Sequence, residues 1–550
     1  MRTRVILLAL LLTISGLVTS SCCNLIPRGG PPQNAIQIQV TANTSLAPWL
    51  QQAVQDFNND RVKLDNRPVY VNIQFTESGQ VVADIVGGAD LPALWMPDSE
   101  VWSDILAEKG QNSFQGNCVS VARSPLVIAM WKPVAESLGW PGRSLGWLDI
   151  GSLAADPSAW AYYSGGQFGS TLRMGHTHPG LSGTGASTLL AIVQAAESKT
   201  DAVTVQDINQ PIVQASVGAF ESTVSWFSMS TDSLGQTMRE RGVEHMGAAV
   251  VYESTAVYYG SQEPGIVPIY PFEGTFVATH PACISASAGA EIEQAATLFR
   301  DYLLQLEAQQ LAASAGLRPV SDGVSVGAPL DMAHGVDLVQ PERVFSPPTV
   351  DTVYAVQDLW QAARKDVNLV MLIDTSGSMR GTKMESVREA ATQFVEQMGD
   401  DDYITIIAFS KDPRILIEHE QVGQSRARVV STIKALQAEG NTSLYDAIGT
   451  GASVIAAVTS SQASNVMVVL TDGKDTASFQ YRFDERLIEA AVANDSIVFT
   501  IAYGSDAEQK LLSDLAQQAN GNYYLGTEAN IHEIYQEMSA AFGGSVGIGR

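Results

Sequence analysis

The chain has 550 residues, 45% hydrophobic and only 16% charged, with a formal net charge of -26 at pH 7. That length is more than one hydrophobic core serves; at about 150 residues per domain it predicts three or four units. The composition excludes a disordered chain, and the acidity disfavours nucleic acid while suiting cations or cation-bridged ligands, although solubility alone accounts for it equally well.

Arg2 and Arg4, an apolar stretch over 5–12, and the small residues Thr19, Ser20 and Ser21 before Cys22 make the pattern of an export signal. The apolar stretch falls short of the about 20 residues that cross a bilayer. Small residues directly before a cysteine resemble a bacterial lipobox, which implies a signal over 1–22 and lipidation of Cys22 as the anchor to the cell membrane. Thr19 stands where that family carries Leu or Val, and Cys23 leaves the cleavage register open; a plain cleaved signal is the other reading. The remaining cysteines are Cys118 and Cys283. In an oxidising compartment two such thiols can pair, and the sequence leaves open whether these meet. The seven histidines are scattered without zinc spacing.

A Pro/Gly-rich linker over 23–35 leads into segments where short strands alternate with helical stretches. Residues 36–40 (IQIQV) alternate strictly, as a half-buried strand does. A helix over 46–57 follows, with strands at 69–75, 89–97 and 124–131 (SPLVIAMW). The alternation argues an α/β domain with a largely parallel sheet. A second stretch of the same kind runs over 148–252. The chain then returns through 266–277 and a helix over 290–313, giving a two-lobed domain across 36–326. Residues 327–364 read as a Pro/Gly-rich connection ending in a helix from 350.

From 365 to 545 the pattern is cleaner. Apolar runs at 367–373, 403–409, 466–470 and 497–502 suit buried parallel strands. They alternate with helices at 382–398, 429–436, 443–458, 485–493 and 507–519, and a short strand at 522–525 precedes a last helix. This predicts a doubly wound, Rossmann-like fold, whose ligands bind at the carboxyl ends of the strands. Three polar groups fall there: Asp374-Thr375-Ser376-Gly377-Ser378 after the first strand, Gly440-Asn441-Thr442-Ser443 before a helix, and Thr471-Asp472-Gly473 after the 466–470 strand. Taken singly, such residues are ordinary caps and turns.

Together and in this order they resemble the metal-ion-dependent adhesion site of von Willebrand factor A domains. The resemblance implies that Ser376, Ser378 and Thr442 ligate a Mg2+, Mn2+ or Ca2+ ion directly, and Asp374 and Asp472 directly or through water. Hydroxyls add hard oxygen ligands without adding charge, so the ion stays electrophilic enough to accept an acidic residue from a protein partner. Lys474 and Asp475 read as surface residues.

Residues 36–320 resemble bacterial extracellular solute-binding proteins of the periplasmic binding type. The segments that carry this are 88–99 (GADLPALWMPDS), 124–131, 178–185 (HPGLSGTG), 270–281 and 316–319. The expected fold is a two-lobe, type II binding-protein domain followed by the von Willebrand A domain. A cleft between lobes implies a small solute or peptide, with contacts at Ser45 and at Ser182, Gly183 and Thr184 before an apolar helix, where free amides suit an anion or simply cap the helix. Trp49, Trp95, Trp160 and Arg173 are weaker candidates, since most Trp residues are core. No GxSxG elbow, P-loop, HExxH or kinase set appears in a suitable context, so the chain reads as a non-enzyme. The leading expectation is an extracytoplasmic, membrane-anchored binding protein. The alternative is the substrate-binding component of an ABC-type importer with an accessory domain.

Overall fold

A computed structural model describes residues 30–116, 118–169, 171–458 and 463–543. The export signal and Cys22 lie outside the described residues. Three sheets organise the chain. The first has the strand order Lys63–Leu64, Arg67–Phe75, Ile36–Ala42, Leu94–Met96, Pro281–Ile284, Cys118–Ser120. Ile36–Ala42 pairs in parallel with both Arg67–Phe75 and Leu94–Met96, and its first five residues alternate buried and exposed as their sequence predicts. The second sheet runs Ile266–Ile269, Ser124–Trp131, Ala248–Tyr252, Met174–Thr177, Val224–Ser228. Every residue of Ser124–Trp131 is buried although both of its neighbours run antiparallel to it; with the antiparallel pairs of the first sheet, this makes both sheets mixed and not largely parallel as the alternation suggests.

The chain passes from the first sheet to the second after Ser120 and returns before Pro281, so these sheets are the cores of two lobes joined by two crossovers. Cys118 and Cys283 sit opposite each other on adjacent strands of the first lobe and are joined by a disulfide, with S–S 2.06 Å. The single helix expected over 290–313 is two, Ala290–Leu303 and Leu306–Ser314. The Gln309 amide donates to Leu303 O at 2.8 Å, meeting a carbonyl that a continuous helix would have paired within itself.

The third sheet has the order Pro413–Gln421, Tyr403–Phe409, Asp366–Asp374, Ala463–Thr471, Ile497–Tyr503, Tyr523–Gly526. Only the first of these is antiparallel to its neighbour. That edge strand escapes the sequence reading because Ile417 is its only buried residue. The helix beside it begins at Val422 rather than at 429. From Asp366–Asp374 the chain goes first to one side of the sheet and then to the other. Asp374 therefore lies at the topological switch point, where open α/β sheets leave a crevice at the carboxyl ends of their strands.

The connection between these parts is packed. Phe345, Leu330 and Val336 are buried, and Phe345 meets Phe276 of the second lobe at 5.3 Å between ring centroids. The helix Val350–Ala363 lies along the second lobe: Gln357 donates to Pro179 O at 3.1 Å, and Trp360 packs edge-on to His178 and Phe227. Beyond it Arg364 makes a two-pronged pair with Asp402, both buried, with N–O distances of 3.0 Å. Asp402 also accepts from Val367 N at 2.9 Å. Arg241 of the second lobe donates to Gly521 O and to Asn522 Oδ1, each at 2.6 Å. The third sheet is thus docked by the amino ends of its strands. No helix among the described residues is long and apolar enough to cross a membrane.

Candidate functional site

The three polar groups expected at the strand ends come together. Asp374 ends Asp366–Asp374, and its Oδ1 accepts from Ser376 N at 2.8 Å, an Asx-type turn that bends the chain back over the strand. Its Oδ2 accepts from Thr471 Oγ1 at 2.6 Å, tying it to the end of the adjacent strand. Ser376 Oγ and Ser378 Oγ lie 3.0 Å apart, and Ser378 Oγ donates to Asp472 Oδ1 at 2.7 Å. The second loop is held to the first by Gly377 N donating to Gly440 O at 2.9 Å. Thr442 closes the group: a Cβ on Gly473 would stand 3.5 Å from its Oγ1. The backbone of Thr442 is fixed from both sides, its N donating to Thr476 Oγ1 at 3.0 Å and its O accepting from Thr476 N at 2.8 Å.

Asp374, Ser376, Thr442 and Asp472 are buried, whereas Ser378 is exposed, so the group opens to solvent on one side. Burial pushes the Asp374 carboxyl up to about 6, against the lowering effect of the Thr471 and Ser376 hydrogen bonds. Neighbouring oxygens at 2.7–3.0 Å have the separation that adjacent ligands keep around a small octahedral ion bound at about 2.1 Å. No set of three or more His, Cys, Asp or Glu side chains placed to hold a metal occurs among the described residues; this donor set has only two carboxylates.

Sequence reasoning missed Lys383, in the first turn of Thr382–Gln397, whose Nζ lies 2.6 Å from Asp472 Oδ2. It also missed Asp446. That buried carboxylate accepts the backbone N–H groups of Phe479, Gln480 and Tyr481 at 2.8–3.0 Å and so shapes the loop after Gly473. A lysine early in a helix and an aspartate in a helix's first turn carry no local signal of such contacts.

In the N-terminal region the lobes meet across a polar seam. Ser182, Gly183 and Thr184, at the start of Gly183–Glu197, are all buried in it. Ser182 Oγ donates to Glu77 Oε2 at 2.7 Å, and Thr184 Oγ1 lies within 2.7–2.8 Å of the hydroxyls of Thr177, Ser182 and Thr231. Ser45 is buried too, but its hydroxyl goes to Asn43 Oδ1 at 2.6 Å. From that turn, Asn43 and Thr44 are the residues whose side chains reach Glu77. Glu77 and Asp98 belong to the first lobe, and burial raises both carboxyls above the usual range. Asp98 accepts from Ser78 Oγ at 2.8 Å and, across the seam, from Tyr252 OH at 2.7 Å. Trp49, Trp95 and Trp160 are core residues, and Arg173 Nη1 donates to Glu244 O at 3.4 Å.

Two family models match the chain. The von Willebrand factor type A domain matches residues 368–537, and the bacterial extracellular solute-binding protein family matches residues 38–318, just over half of the chain. A Synechocystis sp. protein of uncharacterised function is 29% identical over 184 residues, which are 32% of this chain and 42% of that protein. Human inter-alpha-trypsin inhibitor heavy chain H3 is 24% identical over 186 residues, 31% of this chain and 21% of the relative. The chain thus spans less than half the length of these curated relatives. Among solved structures, the periplasmic binding protein AfuA of Actinobacillus pleuropneumoniae, with fructose-6-phosphate bound, is 14% identical. That match covers 60% of this chain and 98% of that one, with a TM-score of 0.44. The chain belongs to the bacterial extracellular solute-binding protein family and carries a von Willebrand factor type A domain after it.

Proposed function

We propose that this member of the solute-binding family is an extracytoplasmic protein that binds a protein partner through a divalent cation held by its von Willebrand factor A domain. One observation carries the reading. Two carboxylates and three hydroxyls gather at the switch point of a doubly wound sheet and open to solvent at Ser378, whose Oγ lies 3.0 Å from Ser376 Oγ and 2.7 Å from Asp472 Oδ1. Ser376, Ser378 and Thr442 are the direct ligands in this reading, with Asp374 and Asp472 direct or through water. Mg2+ is the leading ion for this set of hard oxygen ligands, with Mn2+ and Ca2+ the other ions of the same ligand chemistry. When bound, the ion supplies a Lewis-acidic position that a partner's Asp or Glu completes. The chain's own residues do the rest: Thr471 and Ser376 N orient Asp374, and Asp446 fixes the loop that follows Asp472.

Both families are binding or interaction domains, which supports a non-catalytic role. We take residues 36–326 and 365–545 as the two working units, with 327–364 packed between them, and Cys22 as the lipidated anchor to the cell membrane. Nucleic acid has no part in this reading. Calorimetry with and without MgCl2 or MnCl2 tests it: the melting temperature of the native chain rises with metal, and that of Asp374→Ala does not. A native chain whose melting ignores both metals overturns the assignment. A second reading, solute capture for an ABC-type importer, draws on the family match over residues 38–318. Saturable binding of a small solute by the native chain would favour it.

A further inference from the structure

We propose that the Glu77 carboxylate is the built-in ligand of the cleft between the two lobes, so that the N-terminal region closes on its own side chain instead of on a free solute. Each oxygen of that carboxylate receives two donors. Oε1 accepts from Thr231 N at 2.8 Å and from the Thr44 hydroxyl, and Oε2 accepts from Ser182 Oγ at 2.7 Å and Asn43 Nδ2 at 3.1 Å. Thr44 and Asn43 belong to the lobe that carries Glu77; Ser182 and Thr231 belong to the opposite lobe, at the starts of Gly183–Glu197 and Thr231–Arg241. A cradle of neutral N–H and O–H donors from both walls of a cleft is the way a protein holds a carboxylate without a cation. Here the carboxylate comes from the chain itself.

The seam around it is closed at the level of the backbone. Gln80 N donates to Leu181 O at 3.1 Å across it. A Cβ added to Gly79 would stand 2.6 Å from Gly180 O and 2.8 Å from Leu181 O, and one added to Gly183 would stand 1.8 Å from Asp98 Oδ2. Two glycines thus permit an approach that any side chain would block. The hydroxyls a solute would use are already engaged: that of Ser182 on Glu77, and that of Thr184 among Thr177, Ser182 and Thr231. A free anion would have to displace a tethered competitor, whose effective concentration is of millimolar order or higher. The consequence is a closed platform for the metal-site domain, with no exchange of solute.

Full-length native protein and two variants test this, with sodium acetate as a carboxylate probe, sodium sulfate as an inorganic anion and sodium chloride as the ionic-strength control. Isothermal titration of the native chain with acetate or sulfate gives no saturable heat; saturable binding of either overturns the proposal. Glu77→Ala leaves the four donors facing a space of carboxylate size, so its melting temperature falls. Acetate at tens of millimolar then restores roughly 3 °C over the chloride control, while the native chain does not respond. A Glu77→Ala protein that melts like the native one, or melts lower and ignores acetate, overturns the proposal. If Glu77→Ala does not accumulate, Glu77→Gln decides. It keeps the shape but turns one acceptor oxygen into a donor facing donors, so unchanged melting would again refute the assignment.

Discussion

Glu77 in the interlobe seam and Asp472 at the candidate metal site are both buried carboxylates, and their surroundings differ in one respect. Glu77 is met by amides and hydroxyls alone and is sealed by close backbone approach around it. Asp472 has one oxygen on Ser378, which is exposed, and the other on Lys383, whose side chain is about one-third exposed. Neutral donors fixed on two rigid walls make a finished site that gains nothing from a further ligand. A carboxylate balanced by a part-exposed ammonium can exchange that ammonium for a metal ion. In the proposed reading the solute-binding half of the chain is spent on structure, and the exchangeable chemistry sits in the other half.

The contrast can be broken at either site. The largest effect belongs to Asp374→Ala, which removes a carboxylate from the metal site: divalent-ion affinity should fall roughly 100-fold or more, read as loss of the metal-dependent melting shift. Gly183→Ala should act only on the seam. Its Cβ has no room beside Asp98, so the N-terminal region loses about 1–3 kcal/mol, while the metal-dependent shift persists. If the shift vanishes as well, the two halves are not separable in this way. Lys383→Ala removes the ammonium that competes at Asp472, and metal affinity should rise about 5-fold at low salt and less at high salt. A fall in affinity would mean that Lys383 instead helps to hold the loop.

A separate lever is the pH dependence of the N-terminal region. His280 is buried in the N-terminal region beside Tyr252, and burial holds its imidazole down at about 3. The folded chain then binds fewer protons than the unfolded one, so this group's contribution to stability is present above about 6.5 and is lost as the pH falls toward 3. His280→Phe should flatten that limb of the stability curve for the N-terminal transition. An unchanged slope would place the acid sensitivity in other groups.

Asp374, Ser376, Ser378 and Asp472 of the candidate metal site were legible because each lies at or just after a strand end. The runs over 367–373 and 466–470 announce buried parallel strands, and the residues that follow such strands must lie at the carboxyl edge of the sheet. Thr442 was reachable only through its resemblance to a family pattern, since nothing near it predicts that its loop crosses to the first strand. The seam was half legible. A Ser-Gly-Thr turn before an apolar helix marks a helix start with free amides, but Glu77 stands 105 residues away in the other lobe and reads as an ordinary residue before a helix. Ser45 illustrates the same limit at short range: the turn was found, but which of its hydroxyls faces the seam depends on the local winding of Thr44–Leu46. The edge strand Pro413–Gln421 gave no pattern because it buries almost nothing.

The docking of the third sheet by the amino ends of its strands has a mechanical consequence. Asp366–Asp374 carries Asp374 at one end and, through Val367 N on Asp402, sits beside the Arg364 attachment at the other. A pull applied at the loops of the candidate metal site therefore enters and leaves through the same strand, roughly 30 Å long at about 3.3 Å per residue. That strand is bonded in parallel to Tyr403–Phe409 on one side and Ala463–Thr471 on the other. Traction along it loads two rows of hydrogen bonds in shear, all at once, instead of peeling them one by one. A strand held this way yields late.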